Sequence, residues 1–97
     1  MIYHLLLRPD AEAELLQAKD WYEKSRLGLG EEFEEAVAST LERIAETPQV
    51  FPKVHGEIRC AILRRFPYAI YFRILETKIV IIAVFHSRRD PRRWQSR

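Results

Sequence analysis

The chain has 97 residues, 47% of them apolar, with a formal net charge of +2. That length suits a single domain over residues 1–97 with a modest core, and a lone cysteine, Cys60, excludes an internal disulfide and fits a reducing cytosol. The apolar start Leu5-Leu6-Leu7 is broken by Arg8, Pro9 and Asp10, and the main apolar run, Ile79 to His86, is far below the roughly twenty residues of a membrane span, so a cytoplasmic protein without a cleaved leader is expected.

The small net charge hides a split. Residues 1–50 hold five Lys/Arg and eleven Asp/Glu, a net −6, while residues 51–97 hold eleven and three, a net +8. Nine of the C-terminal cations are arginines, at 59, 64, 65, 73, 88, 89, 92, 93 and 97. Arginine carries a planar donor fork suited to phosphate and carboxylate, so the basic half faces either the acidic half or an acidic partner.

Ile2 to Leu7 reads as a short strand. Asp10 is a plausible N-cap for a first helix over about 10–26, with Ala11, Leu15, Ala18 and Tyr22 at helical spacing. Ser25 to Gly30 is the break, where Gly28 and Gly30 are free to take positive φ. A second helix over about 30–46 follows, with Phe33, Ala36, Val37, Thr40, Leu41 and Ile44 as its stripe and Glu31, Glu32, Glu34 and Glu35 at its favourable start. Two helices with a short loop form an antiparallel hairpin. Pro48 and Pro52 stop the second helix, and Lys53-Val54-His55-Gly56 reads as a further turn.

Three strands are expected next, over about 57–65, 68–76 and 78–86, reversing at Phe66-Pro67 and Glu76-Thr77-Lys78. In the last, Ile79, Ile81, Ala83 and Phe85 alternate with Val80, Ile82 and Val84. Both sets are apolar, so this strand should be interior to the sheet and covered on both faces. The expected architecture is α+β: a four-stranded sheet in spatial order 1-4-3-2, with the N-terminal strand beside the last and the helical hairpin on one face.

No glycine-rich phosphate loop, paired metal-ligand spacing or nucleophile elbow is present, and no cofactor or metal is expected. His4 and His55 read as structural or loop residues. His86 is the stronger candidate, because it leaves the buried strand within three residues of Arg88 and Arg89. A neutral imidazole can act as a base while arginines hold a phosphate. If there is catalysis, Arg59, Arg65, His86 and Arg88 are its candidates. Trp94 is the one large apolar residue of the basic C-terminal segment. It should pack back on the domain and fix the arginines beside the strand exit, and removal of the segment from Asp90 should leave the fold largely intact.

The chain resembles the RelE/ParE superfamily of type II toxins. The resemblance is carried by Gly28-Leu29-Gly30 with Phe33, by Pro48, by Ile58-Arg59, by Arg65-Phe66-Pro67-Tyr68-Ala69-Ile70-Tyr71, and by His86 with Arg88-Arg89-Asp90-Pro91 and Trp94. It covers nearly the whole chain and implies a growth-inhibiting toxin neutralised by a cognate antitoxin. RelE-like members are ribosome-dependent mRNA endoribonucleases that often carry an arginine after the tyrosine of the second sheet strand, where this chain has Ala69 after Tyr68. The Phe66-Pro67-Tyr68 segment and the His86-x-x-Arg89 stretch are more similar to the ParE-like, plasmid-stabilisation branch. That implies a non-enzymatic poison of DNA gyrase, with the ribosome and its mRNA as the alternative target. Operator DNA would be contacted only through the antitoxin complex, and no membrane is involved. The candidates for contact with target or antitoxin are Arg64, Arg65, Tyr68, Arg73, His86, Arg88, Arg89 and Trp94.

Overall fold

The computed structural model describes residues 3–97, so Ile2 of the expected first strand lies outside the described residues. The elements run β1 (His4–Leu7), α1 (Pro9–Ser25), α2 (Leu29–Glu46), a 3-10 turn (Pro48–Val50), β2 (Lys53–His55), β3 (Ile58–Ile62), β4 (Tyr68–Leu75), β5 (Lys78–His86) and α3 (Arg92–Gln95). The sheet order is β1-β5-β4-β3-β2, with β1 parallel to β5 and the other pairs antiparallel.

The four expected strands keep their order, but the sheet has five. Lys53–His55, read as a turn, is a short edge strand that reverses into β3 at Gly56, whose φ is +55°. All three residues of β2 are exposed and their register on β3 is irregular, so no alternation marks them as a strand. The α1 N-terminus also differs. Pro9 takes the first helical position, where its missing N–H costs nothing, and Arg8, not Asp10, is the N-cap, without a side-chain cap bond. The β3–β4 reversal is wider than expected. β3 ends at Ile62, and Arg65 adopts φ +72° between Leu63 and Pro67.

The α1–α2 turn is held from α1. The Gly28 and Gly30 N–H groups donate to the two carboxylate oxygens of Glu23, at 2.9 and 3.0 Å, so an acid on one helix caps the exposed start of the next. Only Gly28 needs a positive φ, +88°; Gly30 lies inside α2, pressed against the α1 backbone.

The hairpin covers one sheet face. Phe33, Val37, Thr40 and Ile44 of α2 are buried, as are Ala11 and Ala18 of α1, whose small side chains let the helix lie close. They meet Tyr68, Ile70 and Phe72 of β4 and Ile79, Ile81 and Val84 of β5. Thr40 satisfies its hydroxyl by donating to the Ala36 carbonyl at 2.9 Å. On the opposite face, Ile58, Ile82, Ala83 and Phe85 pack with Trp94 in a second, smaller cluster. The strand apolar on both sides is thus covered on both, by the hairpin and by α3.

The face assignment along β5 needs a correction. Tyr71 pairs with Ala83 and Phe72 with Ile81, so Ile82 is an extra residue, a β-bulge. The bulge inverts the alternation. Ile79 and Ile81 share the hairpin face with Val84, not with Ala83 and Phe85. His86, two residues after Val84, therefore emerges on the hairpin side.

Candidate functional site

The bulge brings His86 to one end of the sheet, opposite Tyr68 in the β4–β5 ladder, with ring centroids 5.3 Å apart. The Ser87 N–H donates to the Pro67 carbonyl at 2.8 Å, which ties the loop after β5 to the loop before β4. Arg64, Arg65, Tyr68, His86, Arg88 and Arg89 thus belong to one end of the sheet. His86 Nδ1 accepts the Arg88 N–H at 3.1 Å. The Nδ1 lone pair is thus used within the loop, which leaves Nε2 for a ligand.

Beneath these residues lies a cleft of about 550 Å³ between α1 and the sheet end, lined by Trp21, Tyr22, Tyr68, Val84, His86 and Arg89 among others. Two of these, Tyr22 and Tyr68, join Phe33 and Phe66 in an aromatic cluster, mostly edge-to-face, with centroids 4.9–6.1 Å apart. Burial, with the neighbouring Tyr68, pushes the Tyr22 phenol above its usual range, so it stays neutral. Trp21 is 64% exposed at the rim.

The arginines separate into engaged and open groups. Arg59 donates to the Gln49 and Phe51 carbonyls at 3.0 and 2.6 Å, holding the 3-10 turn after α2. Arg65 pairs with Glu32 at 2.6 Å and holds that carboxyl below its usual range, chiefly by this hydrogen bond. Arg73 pairs in register with Val80, well along the sheet from His86. Arg92 forms a bidentate pair with Asp90. Among the described residues, no carboxylate lies within ion-pair distance of Arg64, Arg88, Arg89 or Arg93.

Trp94 packs back on the domain. It is 2% exposed and stacks on Tyr71 at 4.0 Å. Tyr71 is a neutral phenol there, its pKa pushed up to about 12 by burial and then by Cys60. Around the same point Arg89, Arg93 and Arg97 stand 5.5, 5.6 and 5.9 Å from the Phe85 ring centre.

Two residues that sequence reasoning missed complete the site. β1 stops at Leu7, and its ladder closes with the Arg8 N–H donating to the Ile81 carbonyl. Beyond that point the outer edge of β5 is served by side chains. Glu14 accepts the Val84 N–H at 3.1 Å, and Arg97 donates to the Ile82 carbonyl at 3.2 Å. The two side chains pair with each other at 2.7 and 3.0 Å, 15% and 17% exposed respectively. Glu14 breaks the apolar face set by Ala11 and Ala18, three residues from one and four from the other. An acid inside such a stripe is the signal that could have found it. Glu14→Gln keeps an acceptor for Val84 but leaves Arg97 short of its charge. It should destabilise by about 1–3 kcal/mol and speed exchange of the Val84 amide, as read by urea unfolding and hydrogen exchange. An unchanged midpoint with unchanged exchange would show that the clasp does not hold the segment.

The hairpin over a mixed sheet, with a basic segment clasped at one sheet end, defines a small α+β domain with an exposed arginine surface. The family model for the ParE toxin of the type II toxin-antitoxin system, parDE, matches residues 5–91, and the chain belongs to that family. No curated protein matches the chain. Among solved structures it is similar to a chain of the chromosomal ParDE toxin-antitoxin system from P. aeruginosa, at 24% identity and a TM-score of 0.65, over 88% of this chain and 96% of that one. At that identity the likeness speaks for the fold. Among the described residues no helix is long and apolar enough to cross a membrane, and no group of three His, Cys, Asp or Glu side chains is placed to hold a metal ion.

Proposed function

We propose that this ParE-family chain arrests growth in the cytoplasm by binding and inhibiting an essential target, DNA gyrase, and that a cognate antitoxin neutralises it. The family match over residues 5–91 carries the reading. The open arginines 88 and 89 beside His86 and the aromatic cleft support that sheet end as the contact surface. The arrangement favours binding over bond cleavage. Arg59 is engaged in holding a turn, Arg65 is paired with an acid, and the Nδ1 of His86 is occupied.

Expression without antitoxin should arrest growth, and co-expression with the antitoxin should restore it. A gyrase cleavage assay should show accumulated cleaved complex, while primer extension on translated mRNA should show no new 5′ ends. New 5′ ends with no gyrase effect would establish the ribosome-dependent endoribonuclease instead. Arg88→Gln with Arg89→Gln should reduce growth arrest at least tenfold, scored as surviving colonies at matched expression, with the unfolding midpoint little changed because both side chains are exposed and only Arg89 makes a contact, with the Phe85 ring. Undiminished arrest would remove these arginines from the contact surface.

A further inference from the structure

We propose that the outward face of the segment after β5, formed by Arg88, Arg89 and Arg93, is a sequence-independent contact for the phosphodiester backbone of a nucleic acid. These three arginines are exposed, and among the described residues none has a carboxylate within ion-pair distance. The one acid of the segment, Asp90, is engaged by Arg92. The arginines do not sit on a free tail. Trp94 is stacked on Tyr71, Arg97 is clasped to Glu14, and Arg89 and Arg93 lean on the Phe85 ring. Like charges are therefore held together at a fixed place, which is unfavourable unless a polyanion meets them.

The chemistry of this face selects among polyanions. A protein partner is normally anchored by buried apolar side chains at the centre of the contact, a part that the neighbouring cleft with its exposed Trp21 can play for the proposed target. On this segment the one large apolar group, Trp94, is turned inward at 2% exposure, as is Phe85 near the end of β5. What remains outside is guanidinium, whose planar fork matches phosphate. Reading base edges takes an element that fits a groove, and α3 has only four residues with its tryptophan facing the sheet. The contact is accordingly to backbone and not to sequence, which separates it from operator recognition.

The test is fluorescence anisotropy of the purified full chain with a short labelled DNA duplex and with a labelled single-stranded RNA, across a salt series. Three phosphate contacts predict a log–log salt slope of about −2.7 for the duplex, a loss of about 40-fold in affinity between about 50 and 200 mM salt. The same contacts predict a slope of about −2.1 and a loss of about 20-fold on the single strand. The arm with the tighter binding names the source of the phosphate. R88Q/R89Q/R93Q should bring the slope near zero while the chain stays folded, its unfolding midpoint lowered only by the loss of the two Phe85 ring contacts. R92Q should leave the slope unchanged, because Asp90 already neutralises that cation. No binding at the lowest salt, a triple variant with the parent's slope, or an acidic peptide of equal charge that binds as tightly as the duplex would each overturn the proposal. A protein that arrests growth yet binds no nucleic acid refutes it and leaves the toxin reading standing.

Discussion

Trp94→Ala should lower the unfolding free energy by about 3–5 kcal/mol, the range for deleting a large aromatic ring from a core. The ring is 2% exposed, stacks on Tyr71 with planes 25° apart, and closes the cluster of Ile58, Ile82 and Phe85 on the sheet face away from the hairpin. Nothing else in that cluster has the volume to fill the space. A domain of this size has about 5–15 kcal/mol in total, so the variant should melt about 15 °C lower or more. The measurement is thermal and urea unfolding, with emission from Trp21, which is 64% exposed, as the remaining reporter. A loss under about 1 kcal/mol would mean that the ring is not docked in solution. Removing everything from Asp90 therefore takes away core as well as charge, and the expectation that such a truncation leaves the fold largely intact does not survive the burial of Trp94. Arginine substitution is the cleaner probe of the segment.

Gly30→Ala should be the most damaging small change in the hairpin. A Cβ at this position would lie 2.6 Å from the Lys19 carbonyl oxygen and 2.9 Å from Glu23 Cβ. The first is backbone, so relief requires the two helices to part. That disturbs the Glu23 cap on α2 and the seat of Phe33, which is fully buried. A cost of about 3 kcal/mol or more is expected, at the upper end for overpacking. Gly28→Ala is the internal control. A Cβ there meets nothing within 4 Å, and the cost is only that of a left-handed φ of +88°, about 1–2 kcal/mol. Urea unfolding of the pair should rank them in that order. The reverse ranking would show that the helices do not approach as closely as described.

Local patterns made much of this fold legible. The α2 stripe from Phe33 to Ile44 has a 3.6 period, and the residues it names are those that face the sheet. Tyr68, Ile70, Phe72 and Ile74 keep a strict two-residue alternation along β4 and share one core. The doubly apolar run of β5 correctly implied cover on both sides. What failed was non-local. The bulge at Ile82 has no marker in a run where every residue is apolar, because either parity buries a hydrophobe. The edge strand Lys53–His55 pairs with its neighbour's backbone, and its exposed side chains carry no alternation that would mark it. Arg59 and Arg88 look alike as letters. Only the fold shows that one is bonded to the loop carbonyls of Gln49 and Phe51 and the other stands open. Glu14 and Arg97 are 83 positions apart, beyond the reach of any pattern along the chain.

That separation bears on when the protein becomes complete during synthesis. β1 is made first, yet its ladder partner begins at Lys78, and the side chain that closes the exposed β5 edge beside Glu14 is Arg97. The α1–α2 hairpin can form early from local contacts, but the sheet it rests on cannot be closed until residues 78–97 have left the ribosome. A translation product that stops short of these residues lacks the partner of β1, the cover of the outer sheet face and the anchor of the arginine segment together. Chains that terminate before these residues are thus barred from the finished structure, and assembly of the basic surface waits until they have been made.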